Sequence, residues 1–400
     1  MKTAMEVRKL KPEENVRLQL LEHICFVEWA PEDRLAWLKD PLAHADNYEY
    51  AWGCFDADGT LLSGVSVMPA QMAMNGRAAD MAFTGGVVTL PEARNRGCIK
   101  KIYEKAFYAM KEQGIVYSFV YPFSFAFYRK FGYEHAYSRS RASIGMEALG
   151  IYPFPDGVRA YVTGGPAGDF KTVYGQFICD KNLAIIRDEK GWAKLLDRDP
   201  HARRQFTYIH YAANGPDAYL LYEPKTDEDG NTLKIEELVW SDLNGLYAML
   251  GFIYGLNPQY GTVSWEVPEC LDVFGLVENS FDVSVKWEHA GMNRVIDAAG
   301  ALELIEAPVG GGSFVLSVYD KFLPFNSGRY LIEWEAGHLS VKTTDKTPDA
   351  ETGIETLAQL TAGYLTFPQI LNRKNFQIHS KHETLAALFP RKNLFMTEMF

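Results

Sequence analysis

Two arginines and a glycine separate an apolar run from an amphipathic run in VVTLPEARNRGCIKKIYEKAFYAM, Val87 to Met110. After Gly97 the apolar residues recur at steps of three and four, which predicts a helix that begins near this glycine. The first turn of a helix has unpaired N–H groups and the positive end of the helix dipole, so it attracts an anion such as a pyrophosphate. Arg94 and Arg96 add charge. Spacing alone leaves a solvated arginine turn as the alternative.

An aromatic segment, SFAFYRKFGYEHA, follows the next strand-like run, IVYSFVYP. The phenol of Tyr128 can donate a proton to a departing group, and the alternative is an aromatic ring that only packs. Phe125, Phe127 and Phe131 are interpreted as packing or substrate-pocket residues. The sequence therefore offers an anion-binding turn and a proton donor on consecutive elements.

The elements that must position these residues alternate between helical and strand-like patterns. The first 150 residues contain a helix-like run, a hairpin around Asp58-Gly59 and a buried strand DMAFTGGVV, which indicates an α/β layout. A segment rich in Pro and Gly follows, and a second α/β unit extends to about His289 with a similar order of elements. A third composition of alternating strands and a late helix completes the chain. We expect three domains, at 1–150, 151–290 and 291–400.

The turn, helix, strand and aromatic segment together resemble the acetyl-CoA site of the GNAT N-acetyltransferases. In that family an R-x-x-G-x-G/A turn holds the coenzyme pyrophosphate, and an aromatic segment follows the next strand. Arg94, Gly97 and the run from Tyr128 to Tyr133 match this pattern. Ile99 departs from it, because a Gly or Ala is usual at that position. The resemblance implies acetyl-CoA as cosubstrate, no metal, and Tyr128 as the general acid.

The resemblance also assigns residues to each part of the coenzyme. Strand N–H groups polarise the thioester carbonyl in the manner of an oxyanion hole, the turn supplies amides and charge to the pyrophosphate, and the end of the next strand flanks the pantetheine arm. In this chain the corresponding residues are Val87, Val88 and Thr89 on the strand, Arg94, Asn95, Arg96, Gly97, Cys98, Ile99 and Lys100 at the turn, and Phe123 and Ser124 after the next strand.

The whole chain resembles the enhanced-intracellular-survival (Eis) acetyltransferases. These proteins have a GNAT domain, a second GNAT-like unit with a central mixed sheet but no coenzyme turn, and a sterol-carrier-like α+β domain. In the middle unit Ser241 and Asp242 stand where the turn would be, and Asp242 is predicted to cap a helix. The resemblance implies a homo-oligomer, a hexamer in particular, and it assigns the α-carboxylate of Phe400 as the base that deprotonates the amine.

Composition limits the classes of function. The chain has 400 residues, 47% hydrophobic and 23% charged, enough for several folded cores. Its formal charge of −11 disfavours nucleic acid as a partner. The apolar run LYAMLGFIYGL is too short to cross a membrane. Five separated cysteines and no export signal predict a cytoplasmic protein without disulfides. His379 and His382 have no third ligand at metal-site spacing, so we interpret them as a solvated pair.

We therefore predict an enzyme that transfers an acetyl group from acetyl-CoA to an amine of an acceptor with several amino groups. Aminoglycosides, polyamines and lysine side chains all fit this description. Two alternatives belong to other classes of protein. One is a lipid or acyl-chain carrier, which the sterol-carrier-like domain favours, and the other is a catalytically silent sensor of acyl-CoA.

Overall fold

The computed structural model describes residues 5–26, 48–227 and 230–398. These residues divide into two compact units. The first contains 5–26, 48–136, 291–391 and Glu398, and the second contains 137–227, 230–290 and 392–397. Residues 291–391 thus share a unit with the start of the chain. The predicted domain boundaries after residues 150 and 290 stay predictions.

The first unit begins with five strands, β1 (Glu6–Lys9), β2 (Ala51–Phe55), β3 (Leu61–Met74), β4 (Arg77–Thr89) and β5 (Tyr117–Val120). The first four pair antiparallel in sequence order, and β5 pairs parallel with β4. Asn75 and Gly76 connect β3 to β4 with φ angles of 51° and 72°. Two consecutive positive φ angles are what a tight type I′ hairpin turn requires, and Asn-Gly is the preferred pair for it.

Three helices accompany this sheet, α1 (Asn15–Cys25), α2 (Cys98–Glu112) and α3 (Phe125–Arg129). Successive strand residues point to opposite faces of a sheet. Leu61 packs in one buried cluster with Leu18 and Leu21 of α1, whereas Leu62 packs in another with Ile102 of α2. Helices α1 and α2 therefore cover opposite faces of the same sheet.

The second unit contains strands β6 (Glu134–Gly145, in this unit from Tyr137), β7 (Val158–Ala160), β8 (Lys181–Asn182), β9 (Ile185–Ile186), β10 (Phe206–Ala212), β11 (Gly215–Asp227), β12 (Gly230–Trp240) and β13 (Thr262–Val267). Its sheet has the order β6-β13-β12-β11-β10-β7. Its helices are α4 (Gly168–Ile178), α5 (Glu189–Leu196) and α6 (Leu243–Tyr254). None of the helices in the described ranges is long and apolar enough to span a membrane.

The two units repeat one arrangement of elements. In the first unit the β3–β4 hairpin leads through α2 to β5, which pairs parallel with β4. In the second unit the β11–β12 hairpin leads through α6 to β13, which pairs parallel with β12. This confirms the similar order of elements that the sequence indicates, and the fold is α/β with mixed sheets.

The chain returns to the first unit along β14 (Val283–Val295), which belongs to it from Gly291 and pairs antiparallel with β5. The remaining elements of the unit are α7 (Ala298–Glu303), β15 (Gly311–Tyr319), β16 (Gly328–Glu335), β17 (His338–Thr343), β18 (Ala350–Gly353), α8 (Ile354–Ala362), α9 (Phe367–Leu371), β19 (Phe376–Ile378) and α10 (His382–Leu388). These strands form a separate sheet in the order β17-β16-β15-β18-β19. The last strand, β20 (Asn393–Leu394), belongs to the second unit and pairs there with β8.

Candidate active site

The arginine-glycine turn lies between the end of β4 and the start of α2, as the sequence predicts. Gly97 is the residue that caps α2, with a φ of 82°, and no side chain among the described residues caps the first amides of the helix. Arg94, Asn95 and Arg96 are exposed beside it. The start of α2 therefore presents free N–H groups and positive charge to solvent, which is the arrangement that binds an anion.

The side chains that follow Gly97 divide between solvent and core. Cys98 and Ile99 are buried, at 2% and 8% exposure, so only their backbone amides are available to a ligand. Lys100 is exposed. A hydrogen bond from Cys54 lowers the pKa of the Cys98 thiol, which also contacts the sulfur of Met5 at 3.9 Å. Cys98 is thus a small buried residue.

The start of α6 in the second unit is built differently. The Oδ1 atom of Asp242 accepts from the N–H groups of Asn244 at 2.8 Å and Gly245 at 3.1 Å. The helix cap predicted for Asp242 is confirmed. A carboxylate at this position occupies the amides that an anion would need and repels its charge. Of these two helix starts, that of α2 combines uncapped amides with cationic side chains.

Strand β4 bulges just before the turn. Ser66 of β3 is opposite Gly85, and Gly64 is opposite Val88, so Gly86 and Val87 together face the single residue between them on β3. Gly86 has a φ of 54°, which fits the first residue of a glycine bulge. A bulge disrupts the regular ladder at Gly86 and Val87, whereas Val88 and Thr89 keep their partners Gly64 and Ser63. The bulge thus falls at the start of the run Val87, Val88 and Thr89, which the resemblance assigns to the thioester.

Strands β4 and β5 stop pairing shortly before this bulge. Their parallel pairing ends at Phe83 and Phe119, whereas β4 continues to Thr89. Three hydroxyls lie next to this fork: the Thr84 and Ser118 oxygens are 2.8 Å apart, and the Tyr133 oxygen is 2.7 Å from Ser118 and 3.1 Å from Thr84. Sequence reasoning did not find this cluster, because isolated Thr and Ser residues in a strand carry no distinctive spacing.

Tyr128 lies on α3, the short helix that follows β5. It is 2% exposed, and its ring packs against those of Phe123, Phe127 and Tyr133 at centroid distances of 5.4, 5.2 and 5.7 Å. Burial, and then the nearby Tyr133 phenol, raise the pKa of the Tyr128 hydroxyl. That hydroxyl makes no hydrogen bond within the described part of the chain. Its proton is firmly held at neutral pH and is available to donate.

The residues before Tyr128 position the helix. The Ser124 hydroxyl accepts from the N–H of Phe127 at 3.3 Å and caps α3, while Phe123 is 67% exposed. Tyr128 shares a buried cluster with Cys98 and Ile99 of α2, and Val87 packs against that cluster. The structure thus brings the strand, turn and tyrosine segments together on one side of the sheet.

The end of the described chain also approaches this region. The hydroxyl of Tyr121, which follows β5, donates to the backbone carbonyl of Glu398 at 2.7 Å. Phe400, the predicted base, lies outside the described residues. The predicted histidine pair is exposed, with His379 bound to Glu351 at 3.1 Å. Among the residues described here, no group of three acidic, histidine or cysteine side chains can hold a metal ion.

One acidic residue beside the bulge has no counterpart in the sequence predictions. Glu22, on α1, is half-buried and lies against Gly86 of β4. Burial raises the pKa of its carboxyl from the ordinary value near 4.5 to about 7. The only sequence signal for Glu22 is its place next to Leu21 on an amphipathic helix. That pattern does not tell a half-buried glutamate from one on the solvent-exposed face.

Three segments of the chain match known domain families. Residues 6–136 and 183–289 each match an acetyltransferase (GNAT) domain, and residues 298–397 match a sterol carrier protein domain. The chain therefore carries two acetyltransferase (GNAT) domains followed by a sterol carrier protein domain. No curated protein matches the sequence significantly.

Several solved structures share the fold over nearly the full chain. A GCN5-related N-acetyltransferase from Anabaena variabilis is 20% identical, with a TM-score of 0.87 over 99% of this chain and 100% of that one. A conserved protein of unknown function from Enterococcus faecalis, described as a probable N-acyltransferase, is 22% identical, with a TM-score of 0.84 over 98% and 99%. Eis1 from Mycobacterium abscessus is 18% identical, with a TM-score of 0.82 over 99% and 100%.

Proposed function

We propose that this protein is an Eis-like N-acetyltransferase that moves an acetyl group from acetyl-CoA to an amine of an acceptor with several amino groups. The observation that carries the proposal is the uncapped start of α2, which has Arg94 and Arg96 exposed beside it. This start lies in a GNAT domain, and strands β4 and β5 of that domain separate next to the buried Tyr128. Aminoglycosides, polyamines and lysine side chains are the proposed acceptors. A homo-oligomeric, hexameric assembly is part of the same proposal.

The chemistry assigns one task to each group of residues. Amides after Gly97 bind the pyrophosphate together with the side chains of Arg94 and Arg96. Backbone N–H groups of the bulged end of β4 polarise the thioester carbonyl. The proposed base, the α-carboxylate of Phe400, takes a proton from the ammonium, and the amine nitrogen then attacks the carbonyl carbon. The C–S bond breaks, and Tyr128 protonates the departing thiolate.

A thiol-release assay with a panel of amines tests this proposal. Acetyl-CoA is mixed with the protein and with kanamycin, spermidine or Nα-acetyl-lysine amide, and free coenzyme A is measured. Amine-dependent release supports the enzyme. Binding of acetyl-CoA without release for any amine favours the silent sensor. Because part of the chain matches a sterol carrier protein domain, the purified protein should also be analysed for lipid by mass spectrometry. A stoichiometric lipid would favour the carrier.

Substitutions at the turn should weaken acetyl-CoA binding. Arg96→Ala removes one charge-assisted contact, worth about 1.5–3 kcal/mol, so we expect a loss of affinity of about tenfold or more. Gly97→Val should lower the affinity for acetyl-CoA further. A Cβ at Gly97 meets no atom of the described residues within 4 Å, so its effect comes from the φ of 82° and from intrusion into the ligand's space. Isothermal titration calorimetry measures both.

Arg203→Ala is the matched control for charge, because Arg203 is exposed in the second unit. It should leave acetyl-CoA affinity unchanged. If Arg96→Ala and Gly97→Val both bind acetyl-CoA as tightly as the wild type, the pyrophosphate site is elsewhere.

The proposal for the base is the α-carboxylate of Phe400, supported by the hydrogen bond from Tyr121 to Glu398 two positions earlier. Two residues reach at most about 7 Å. An α-carboxyl has an ordinary pKa of about 3.3–3.7, so it is ionised at neutral pH but is a weak base that needs a desolvated setting.

Extending the chain beyond Phe400 should therefore lower kcat strongly and leave acetyl-CoA binding intact. A glycine-serine extension converts the carboxylate to an amide, and deletion of Phe400 removes its ring and moves the α-carboxylate to Met399. The same extension at the N-terminus is the control. A C-terminally extended protein that acetylates amines at the wild-type rate would show that the base is another group.

A further inference from the structure

Glu22 has an unusual position for a carboxylate. Its Oε1 atom lies 2.7 Å from the point that a Cβ on Gly86 would occupy, and the Ser66 hydroxyl lies 3.3 Å from the same point. A Cβ at Gly86 would displace the carboxylate from this position. Glu22 therefore sits directly over the backbone of the β4 bulge, in space that this glycine leaves open.

Nothing in the described part of the chain neutralises this carboxylate. No hydrogen bond or ion pair reaches its oxygens among the described residues, and burial is the only cause of its raised pKa. The Ser66 hydroxyl and the Gly86 backbone, which lie beside it on β3 and β4, are uncharged. His23 and Cys25, which follow it on its own helix, bond to the carbonyls of Gln19 and Thr89. A partly desolvated, unpaired carboxylate costs stability unless a ligand pairs with it.

The face of the sheet on which Glu22 lies indicates which substrate it meets. Glu22 lies on the α1 face, whereas Cys98, Ile99 and Tyr128 pack on the α2 face. A coenzyme whose pyrophosphate binds at the start of α2 can bring its thioester to the bulge at Val87. The α1 face of the bulge is then left to the second substrate, which must approach the carbonyl from the side that the coenzyme does not fill.

We propose that the carboxylate of Glu22 binds the ammonium group of the acceptor on the α1 face of the bulge at Gly86 and Val87. This inference rests on the proposed transfer of an acetyl group to an amine. A desolvated carboxylate selects a cation over a neutral group because the interaction with the cation is strong where water is scarce. Glu22 thus draws amines that are protonated at neutral pH, such as polyamines and amino sugars, to the thioester, and it makes the glycine at position 86 a requirement of the acceptor site.

The test is a comparison of KM with kcat in Glu22→Gln at pH 8. The variant keeps the size of the side chain and loses its charge. With spermidine, kanamycin and Nα-acetyl-lysine amide as probes, KM for each amine that the wild type acetylates should rise about tenfold or more, which is the size of effect of losing a charged hydrogen bond. The kcat at saturating amine should stay within about threefold. Acetyl-CoA affinity should not change.

Two further variants make the result specific. Glu13→Gln, at an exposed carboxylate just before α1, should behave as the wild type. Glu22→Asp keeps the charge but withdraws it by one methylene, so its KM should lie between those of the wild type and Glu22→Gln. Unchanged amine KM in Glu22→Gln overturns the inference, and so does a loss of kcat at constant KM. If the wild type acetylates no amine, the proposed function fails, and calorimetry of spermidine binding to wild type and Glu22→Gln still tests the site.

Stability gives a readout that does not depend on activity. Burial raises the pKa of Glu22 to about 7 in the folded protein, whereas the ordinary pKa near 4.5 applies to the unfolded chain. Ionisation of Glu22 therefore destabilises the fold as pH rises from about 4.5 to 7, and the penalty persists above 7. The melting temperature of Glu22→Gln, relative to the wild type, should increase across this window and then stay level. Saturating spermidine should reduce the difference at pH 8 by stabilising only the wild type. A difference that does not vary with pH would contradict the inference.

Discussion

Tyr128→Phe should lower kcat about a hundredfold or more while acetyl-CoA binding stays within about twofold of the wild type. A positioned general acid contributes a factor of about 10²–10⁴ to a rate. The substitution deletes one oxygen atom and leaves the ring, whose contacts with Phe123, Phe127 and Tyr133 maintain the local packing. The loss should therefore appear in turnover and not in the affinity for the coenzyme.

The pH profile provides a second test of Tyr128. Burial raises the pKa of this hydroxyl above the ordinary value near 10, so the proton donor stays protonated through the neutral and mildly basic range. In the wild type, kcat should not fall between pH 8 and pH 10 from loss of the Tyr128 proton. A decline in that range that Tyr128→Phe abolishes would mean that the tyrosine is more exposed in the working enzyme.

Tyr103→Phe is the matched control. Tyr103 is fully buried in the same cluster, and its hydroxyl has no hydrogen-bond partner among the described residues. Removing it deletes the same atom from the same environment without a catalytic role, so kcat should not change. If Tyr103→Phe and Tyr128→Phe lower kcat equally, the effect is one of packing, and Tyr128 is not the acid.

The sequence predicted the turn because its residues act locally. Gly97 precedes an amphipathic run, and both the positive φ and the helix start follow from neighbours in the chain. The cap at Asp242 was predictable for the same reason. The bulge could also have been predicted, since a Gly85-Gly86 pair inside a strand is a recognised sign of a β-bulge.

The remaining features depend on contacts between distant segments. Glu22 acquires its burial from β4, more than sixty positions later in the chain, and helical periodicity does not record that distance. Thr84, Ser118 and Tyr133 meet only because β5 pairs parallel with β4 and α3 folds back beside it. Such sites appear when the register of the sheet is known, because a one-residue shift in pairing would turn each side chain to the opposite face.

Asp320→Asn should destabilise the first unit more than any surface substitution. Arg294 of β14 and Asp320, just after β15, form an ion pair with both side chains fully buried and the Nη2 and Oδ2 atoms 2.5 Å apart. Asp320 also accepts from Asn326 and from the N–H groups of Phe322 and Leu323, each at 3.0 Å. The carboxylate is therefore well satisfied, whereas the Nε and Nη1 atoms of Arg294 have no partner in the described part of the chain.

This imbalance determines the size of the effect. With the aspartate neutralised, the guanidinium keeps its desolvation penalty and loses the one counter-charge bonded to it, and removing one partner of a buried pair costs about 3–5 kcal/mol. Arg294 cannot reach solvent easily, since its side chain is fully buried and packs over Gly132. Denaturant unfolding followed by the fluorescence of the first unit should show a lower midpoint.

Two variants separate the ion pair from the packing around it. Arg294→Met combined with Asp320→Leu removes both charges, so it should be more stable than Asp320→Asn alone, because no unpaired charge stays in the core. Glu333→Gln breaks an exposed pair with Lys342 and should change stability by no more than about 0.5 kcal/mol. If Asp320→Asn unfolds at the wild-type midpoint, the charge of Asp320 does not stabilise the fold, and the expectation is wrong.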